Sequence, residues 1–378
     1  MARTYRVAAL LLLNTLLLLA AAEGLAAGFL WITGARVDGP PSAAAARMAP
    51  AVAADLDRLT LDYWPYVGWR AHPMTSTTLN VDAAGNRVTP GAACGQGAFT
   101  VFVFGGSVAF GFGVADTETI PALLQRGLEE RLHKPVCVRN LAQLSWTSTQ
   151  ETVALLRELQ EGRSPDLAIF IDGFNDVNVR GGDGVGGRSS GDMDYDGRAV
   201  WIRSTTHAGW IAAREVARST HLSLLLGWAR ERLRAPETDA RPPAAAQVAL
   251  PSPEAVLRAY LTNHDTVRLL ASAHGFRAAW FWQPTLWVKD TRTPDEELLL
   301  QDAAPPDGVP GLFDAVYRAA AAEARTRDGL TYLGGIFDGT SSMYVDDVHV
   351  VRAGNARIAE AIVDVVAPPE RPSAAESR

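Results

Sequence analysis

The chain has 378 residues, 48% of them hydrophobic, with a formal net charge of −7. That length suffices for one large or two small domains, and an acidic balance with no basic run argues against nucleic acid, whose phosphates need a basic patch. With only two cysteines, Cys94 and Cys137, neither a disulfide scaffold nor a cysteine-rich zinc site is expected.

Arg3 and Arg6 precede an uncharged apolar run from Val7 to Ala22, and apolar residues resume from Leu25 to Ile32. As a helix the first run would rise roughly 24 Å, short of a hydrocarbon core of about 30 Å. The second run makes it long enough, with Glu23 near one interface. The arginines favour a cytoplasmic N-terminus and a translocated body. Residues 1–32 are expected to form an uncleaved membrane anchor; a signal peptide cut near the small residues Ala20 and Ala22, releasing a secreted form, is the alternative. Either way the body lies outside the cytoplasm, periplasmic or extracellular.

Residues 33–54, rich in Ala, Pro, Gly and Arg, read as a linker. Residues 55–98 read as a lead-in, with a hairpin expected around Asp82–Asn86 between alternating β-formers. Strands and helices then alternate: strand Phe99–Phe104, helix Ile120–Leu132, strand Val136–Leu141, helix Gln150–Glu161 and strand Asp166–Asp172. After an insertion around residues 180–252, with a helical stretch near Trp201–Arg234, come helix Glu254–His274, a fourth strand "RAAWFWQP" and a closing helix Ala353–Val366. Short, fully apolar strands between helices predict an α/β fold, one doubly wound domain over residues 99–368 with a mostly parallel sheet covered on both faces. Residues 369–378 read as a flexible tail. If the strands that follow Cys94 and contain Cys137 are neighbours, the two thiols come close; a disulfide and two buried free thiols both stay open.

The first main strand runs into glycines in "TVFVFGGSVAFGFG", Thr100–Gly113. A phosphate loop would need a lysine and a Ser/Thr after its last glycine, but Val114-Ala115-Asp116 follow; a dinucleotide fingerprint would need glycine where Asp116 stands. The glycines instead let the chain turn sharply and present Ser107 at the C-terminal edge of the sheet. A serine nucleophile needs a base, and the base needs an acceptor. "VDDVHV" offers both, Asp346 and His349 three residues apart, just before the closing helix; Asp347 is the rival acid. After the third strand, "DGFNDVN" places the uncharged amide of Asn175 at the same edge, suited to an oxyanion.

Gly105-Gly106-Ser107, "NLAQLSWTSTQE", Gly173-Phe174-Asn175-Asp176 and Asp346-Asp347-Val348-His349, in that order, resemble the blocks of the SGNH/GDSL hydrolase family over roughly Phe99 to Val366. "YWPYVGWR" and "WFWQPTLW" look like sequences of bacterial membrane-anchored members. The resemblance implies a three-layer αβα flavodoxin-like fold and ester hydrolysis through an acyl-serine, without cofactor or metal. It implies Ser107, Asp346 and His349 as catalytic residues, with an oxyanion hole from the N–H groups of Ser107 and Ser145 and the Asn175 amide. Two positions depart from the pattern: Gly106 stands where many members carry aspartate, and Ser145 where a glycine usually offers its N–H. The α/β-hydrolase elbow does not fit, since Ala109 replaces its last glycine.

Trp282 and Gln283, ending the fourth strand on the functional edge, are expected either to line an acyl or alcohol pocket or, for Trp282, to join the core. "DMDYDG", Asp192–Gly197, copies the start of a calcium loop, but Arg203 occupies the position of its last ligand, which favours a solvated acidic loop. The remaining histidines show no paired metal-ligand spacing. The expected substrate is an acyl ester, such as an O-acetylated glycan. An O-acyltransferase using the same serine and a non-catalytic glycan-binding protein are the alternatives.

Overall fold

A computed structural model describes residues 2–33, 43–92, 94–95, 97–178, 220–222, 225–226, 250–303 and 308–368. Asp192–Gly197, nearly all of the stretch Trp201–Arg234 and residues 369–378 lie outside these. The chain divides into two compact units, one of residues 1–42 and 195–247, the other of residues 43–194 and 248–378.

In the first unit, helix α1 (Ala2–Thr33) is built from leucines and alanines, strong helix formers. From Tyr5 to Phe29 it is long and apolar enough to cross a membrane. Leu10 to Leu13 and Leu16 to Leu19 all face outward, so the helix has no polar stripe to turn toward water. Its acid, Glu23, accepts the backbone N–H groups of His221 at 2.6 Å and Leu222 at 3.0 Å.

The second unit opens with helices α2 (Ala43–Arg47) and α3 (Pro50–Asp57), both within or just beyond the segment read as a linker. An antiparallel pair follows, β1 (Leu61–Trp64) and β2 (Gly68–Ala71). The expected hairpin is a tight turn: Asp82 accepts the N–H groups of Ala84 and Asn86, each at 2.9 Å, and only isolated bridges flank it. Beyond that turn Arg87 is fully buried. It pairs with Asp116 at 2.8 Å and donates to the carbonyl oxygens of Gly111 and, at 2.7 Å, Val114. The lead-in is thereby fastened to the glycine-rich loop after Ser107.

The main sheet has five parallel strands: β3 (Phe99–Gly105), β4 (Val136–Asn140), β5 (Leu167–Asp172), β6 (Arg277–Trp282) and β7 (Leu330–Tyr332). Between and after them run α4 (Ser107–Phe110), α5 (Ile120–Leu132), α6 (Ser148–Gln160), α7 (Phe174–Val177), α8 (Pro253–His274), α9 (Pro294–Ala303), α10 (Val309–Glu323) and α11 (Arg352–Val366). Helix α11 packs on α5, whereas α8 packs on α6 and α10, giving a helical layer on each face. All six residues of β5 are buried, as a strand covered on both sides requires. Strand β7 and helices α9 and α10 go beyond the elements expected from the sequence.

The strand order is β4-β3-β5-β6-β7, so the chain starts inside the sheet, moves to one edge and then crosses to the other side. This is the flavodoxin-like 2-1-3-4-5 order, which reverses between β3 and β5 and leaves a crevice at their C-terminal ends. Because β3 pairs with β4, with Thr100 opposite Cys137, the chain before β3 reaches Cys137, and Cys94 and Cys137 form a disulfide.

Candidate active site

Strand β3 ends at Gly105, and Ser107 is the first residue of the short helix α4. Its N–H belongs to a helix start and has no carbonyl four residues back to bind. Gly106 is needed by close approach rather than by its own torsion: a Cβ there would collide with the Asn175 amide nitrogen. Glycine at this position, where the resemblance offers aspartate, lets the β5 turn close onto the serine turn.

His349 lies in a tight loop, where its carbonyl accepts the Val345 N–H at 2.7 Å, directly before α11. Its Nε2 is 2.7 Å from Ser107 Oγ and its Nδ1 is 2.6 Å from Asp346. The other Asp346 oxygen accepts the N–H groups of Val348 at 2.9 Å and His349 at 2.7 Å. Burial raises the Asp346 pKa, but the His349 charge and these hydrogen bonds outweigh it and hold the carboxyl below its usual range. Burial opposes a charge on His349 as well, yet Asp346 outweighs it and raises the imidazole pKa. Asp347, the rival acid, turns elsewhere and accepts the Trp287 indole N–H at 2.9 Å.

The third and fourth groups meet across the switch point. Asn175 follows Gly173, whose φ of +112° and contact with the Trp282 ring leave no room for a Cβ. Its amide donates one hydrogen to the Trp146 carbonyl at 2.7 Å, which orients the side chain and leaves a second N–H. Ser145, just before Trp146, has φ +60°, the left-handed conformation that glycine adopts without strain. Its Cβ has therefore not displaced the backbone from that region. Next in the chain, Ser148 donates its hydroxyl to Asp176 at 2.5 Å, tying the start of α6 to the residue after Asn175.

Behind these loops lies a cluster of three buried carboxylates, Glu151, Asp172 and Asp176. Neither the Glu151 nor the Asp172 side-chain carboxyl lies at hydrogen-bonding geometry to a partner among the described residues. Burial and mutual repulsion push both upward, Asp172 to about 8, so the cluster holds protons at neutral pH.

Phe112, which the sequence did not single out, stacks obliquely on His349 with ring centroids 4.3 Å apart. It sits in the glycine-rich loop that Arg87 fastens, five residues after Ser107 in "SVAFGF". Trp282 joins the core: it is fully buried, with Tyr260 and Tyr317 packed edge-on at 4.7 and 5.5 Å. Gln283 is also buried, its N–H bound to the Asp172 carbonyl at 2.9 Å. Neither presents a face to solvent as a substrate-lining residue would. Among the described residues no group of His, Cys, Asp and Glu has metal-binding geometry.

No family model and no curated protein matches the chain. Among solved structures it is similar to a member of the lipolytic protein G-D-S-L family from Veillonella parvula, at 10% identity over 71% of this chain and 98% of that one, TM-score 0.37. It is also similar to a catalytic mutant of an acetylxylan esterase from Geobacillus stearothermophilus, at 13% identity over 71% and 94% of the two chains, TM-score 0.38. Likeness at these scores decides nothing about activity, which has to be read from the site itself.

Proposed function

We propose that the chain is a membrane-anchored, extracytoplasmic serine ester hydrolase of the SGNH/GDSL type that works through an acyl-serine intermediate. The observation that carries this reading is the unbroken line from Ser107 Oγ through His349 to Asp346, with links of 2.7 and 2.6 Å, at the C-terminal edge of the sheet. As Ser107 attacks an acyl carbonyl, His349 Nε2 takes the hydroxyl proton and Asp346 stabilises the imidazolium. The carbonyl oxygen gains negative charge, and the N–H groups of Ser107 and Ser145 and the free Asn175 N–H donate hydrogen bonds to it. Collapse of this intermediate breaks the ester C–O bond, and the imidazolium gives its proton to the leaving alcohol. Water, deprotonated by His349, then attacks the acyl-serine, and collapse returns the proton to Ser107 with release of the acid. The left-handed backbone at Ser145 supports catalysis over a binding-only role. Arg3 and Arg6 ahead of the apolar helix, and the Cys94–Cys137 disulfide, support a location outside the cytoplasm. O-acetylated glycans are the proposed substrate class.

The test is hydrolysis of p-nitrophenyl acetate and labelling by a fluorophosphonate probe, in wild type and Ser107→Ala. Loss of both in the variant is expected; equal activity in the two proteins overturns the assignment. Product formation only when a sugar acceptor is added would instead make the chain an acyltransferase.

A further inference from the structure

A cleft of about 260 Å³ lies between α6, the end of β4 and the β1–β2 pair. It gathers four arginines against two glutamates, in a chain whose overall charge is −7. Two of the arginines are neutralised: Glu158 receives Arg139 at 2.8 Å and Arg163 at 2.6 Å, and Arg163 also reaches Glu161 at 2.5 Å.

The other two are not. Arg70 lies over the Trp64 ring at 4.7 Å and donates to the Asn86 side chain, while its Nε is buried without an acceptor. Arg157 donates to the Pro65 carbonyl at 3.2 Å and lies 6.0 Å from the Tyr66 ring. Among the described residues no carboxylate lies within ion-pair distance of either. Burial, only partly offset by the more distant Glu158 and Asp82, lowers the Arg70 pKa, and Arg157 and Arg139 lower it further. Like charges brought together in a half-buried cleft repel, and desolvation adds to the cost. An oxyanion relieves both, and a guanidinium fork matches carboxylate and phosphate geometry.

We propose that this cleft is a binding site for an oxyanion, a carboxylate or phosphate group carried by a ligand, held chiefly by Arg70 and Arg157. The site is separate from Ser107 and does not rest on the hydrolase reading. Trp146 connects the two regions: it lines the cleft, and its carbonyl holds the Asn175 amide.

The test measures thermal unfolding of the full chain in detergent with increasing inorganic phosphate or glucuronate, against chloride at matched ionic strength and glucose as the neutral control. The expected result is a saturable rise of at least about 2 °C with one or both oxyanions and none with the controls. Arg70→Gln should abolish it, and Arg157→Gln, which removes a less buried guanidinium and covers the case in which Arg70→Gln does not fold, should weaken binding about tenfold. A response to phosphate alone or to glucuronate alone supports the site and assigns its group. No rise beyond chloride, or an undiminished rise in Arg157→Gln, overturns the proposal.

Discussion

Asp346 grips His349 twice, one oxygen on the ring Nδ1 at 2.6 Å and the other on the backbone N–H at 2.7 Å, from three residues earlier. One carboxylate thus fixes both the tautomer and the position of the loop. His349 has to be neutral to take the Ser107 proton, and its pKa is raised above the ordinary 6.5 because Asp346 outweighs the effect of burial. Activity is therefore expected to rise with pH along an acid limb centred above the usual histidine range. Asp346→Asn should move that limb to lower pH and reduce kcat roughly 10³–10⁴-fold. Asp347→Asn, whose carboxylate is engaged by Trp287, should cost far less. A kcat/KM profile against pH for the three proteins checks this.

Asn175 is held by Trp146 with one N–H to spare. Removing one oxyanion donor costs about 10²–10³ in kcat. Asn175→Ala is expected to show a loss of that size with KM little changed, because the donor acts on charge that develops only in the transition state. A loss expressed mainly in KM would assign Asn175 to ground-state binding.

The proposed role of Ser145 rests on its backbone N–H, held at φ +60°, and not on its hydroxyl. Ser145→Gly is expected to keep kcat near wild type, with stability within about 1 kcal/mol, since relief of left-handed strain and the greater freedom of the unfolded chain nearly cancel. Ser145→Val, β-branched and intolerant of φ +60°, should lose activity and stability together. Collapse of kcat in the glycine variant would show that the hydroxyl itself is required.

The buried carboxylates make stability depend on pH in an unusual direction. In the unfolded chain Asp172 titrates near the ordinary aspartate value of 3.8, whereas burial and Asp176 raise it to about 8 in the fold. Between those values the folded state binds more protons, so this contribution is fully present at low pH and is lost as pH rises toward 8. The melting temperature of wild type should fall across that window relative to Asp172→Asn, in which nothing titrates at this position. Parallel curves for the two proteins would refute it.

The disulfide closes a loop with a sequence separation of 43. By chain entropy a loop of that size contributes about 4 kcal/mol. Reduction, or Cys137→Ser, is expected to lower the denaturant midpoint by a corresponding amount while leaving the serine site, beyond the opposite ends of these strands, in place. Fluorophosphonate labelling of the reduced protein checks the second half of that expectation.

How much of this was legible beforehand follows from which interactions are local. "LAIFID" reads as a strand because an unbroken apolar run has to be covered on both faces, and β5 is. The Ser107 turn was readable as a short pattern at a strand–helix junction, and the Asp346–His349 spacing as one in the loop just before a helix. Leu330–Tyr332, three residues and mostly half-buried, is too short to carry a period. The contact of Phe112 with His349 and the grip of Arg87 on Gly111 and Val114 join residues far apart in the chain, so no local pattern announces them. Trp282 was placed at the correct strand end, but its ring turns inward to Tyr260 and Tyr317, and that choice depends on helices packed from elsewhere.

Ser107 and His349 are separated by 242 residues, and the histidine loop is carried on α11. That helix docks on α5, where Arg131 reaches the Ala367 carbonyl and the Asp364 carboxylate, both at 2.8 Å. A chain in which α11 is undocked or missing keeps its serine but has nothing to take the serine's proton. In the proposed mechanism, chemistry at Ser107 thus doubles as a report that folding is complete: unfinished chains, emerging or partly unravelled, would be silent.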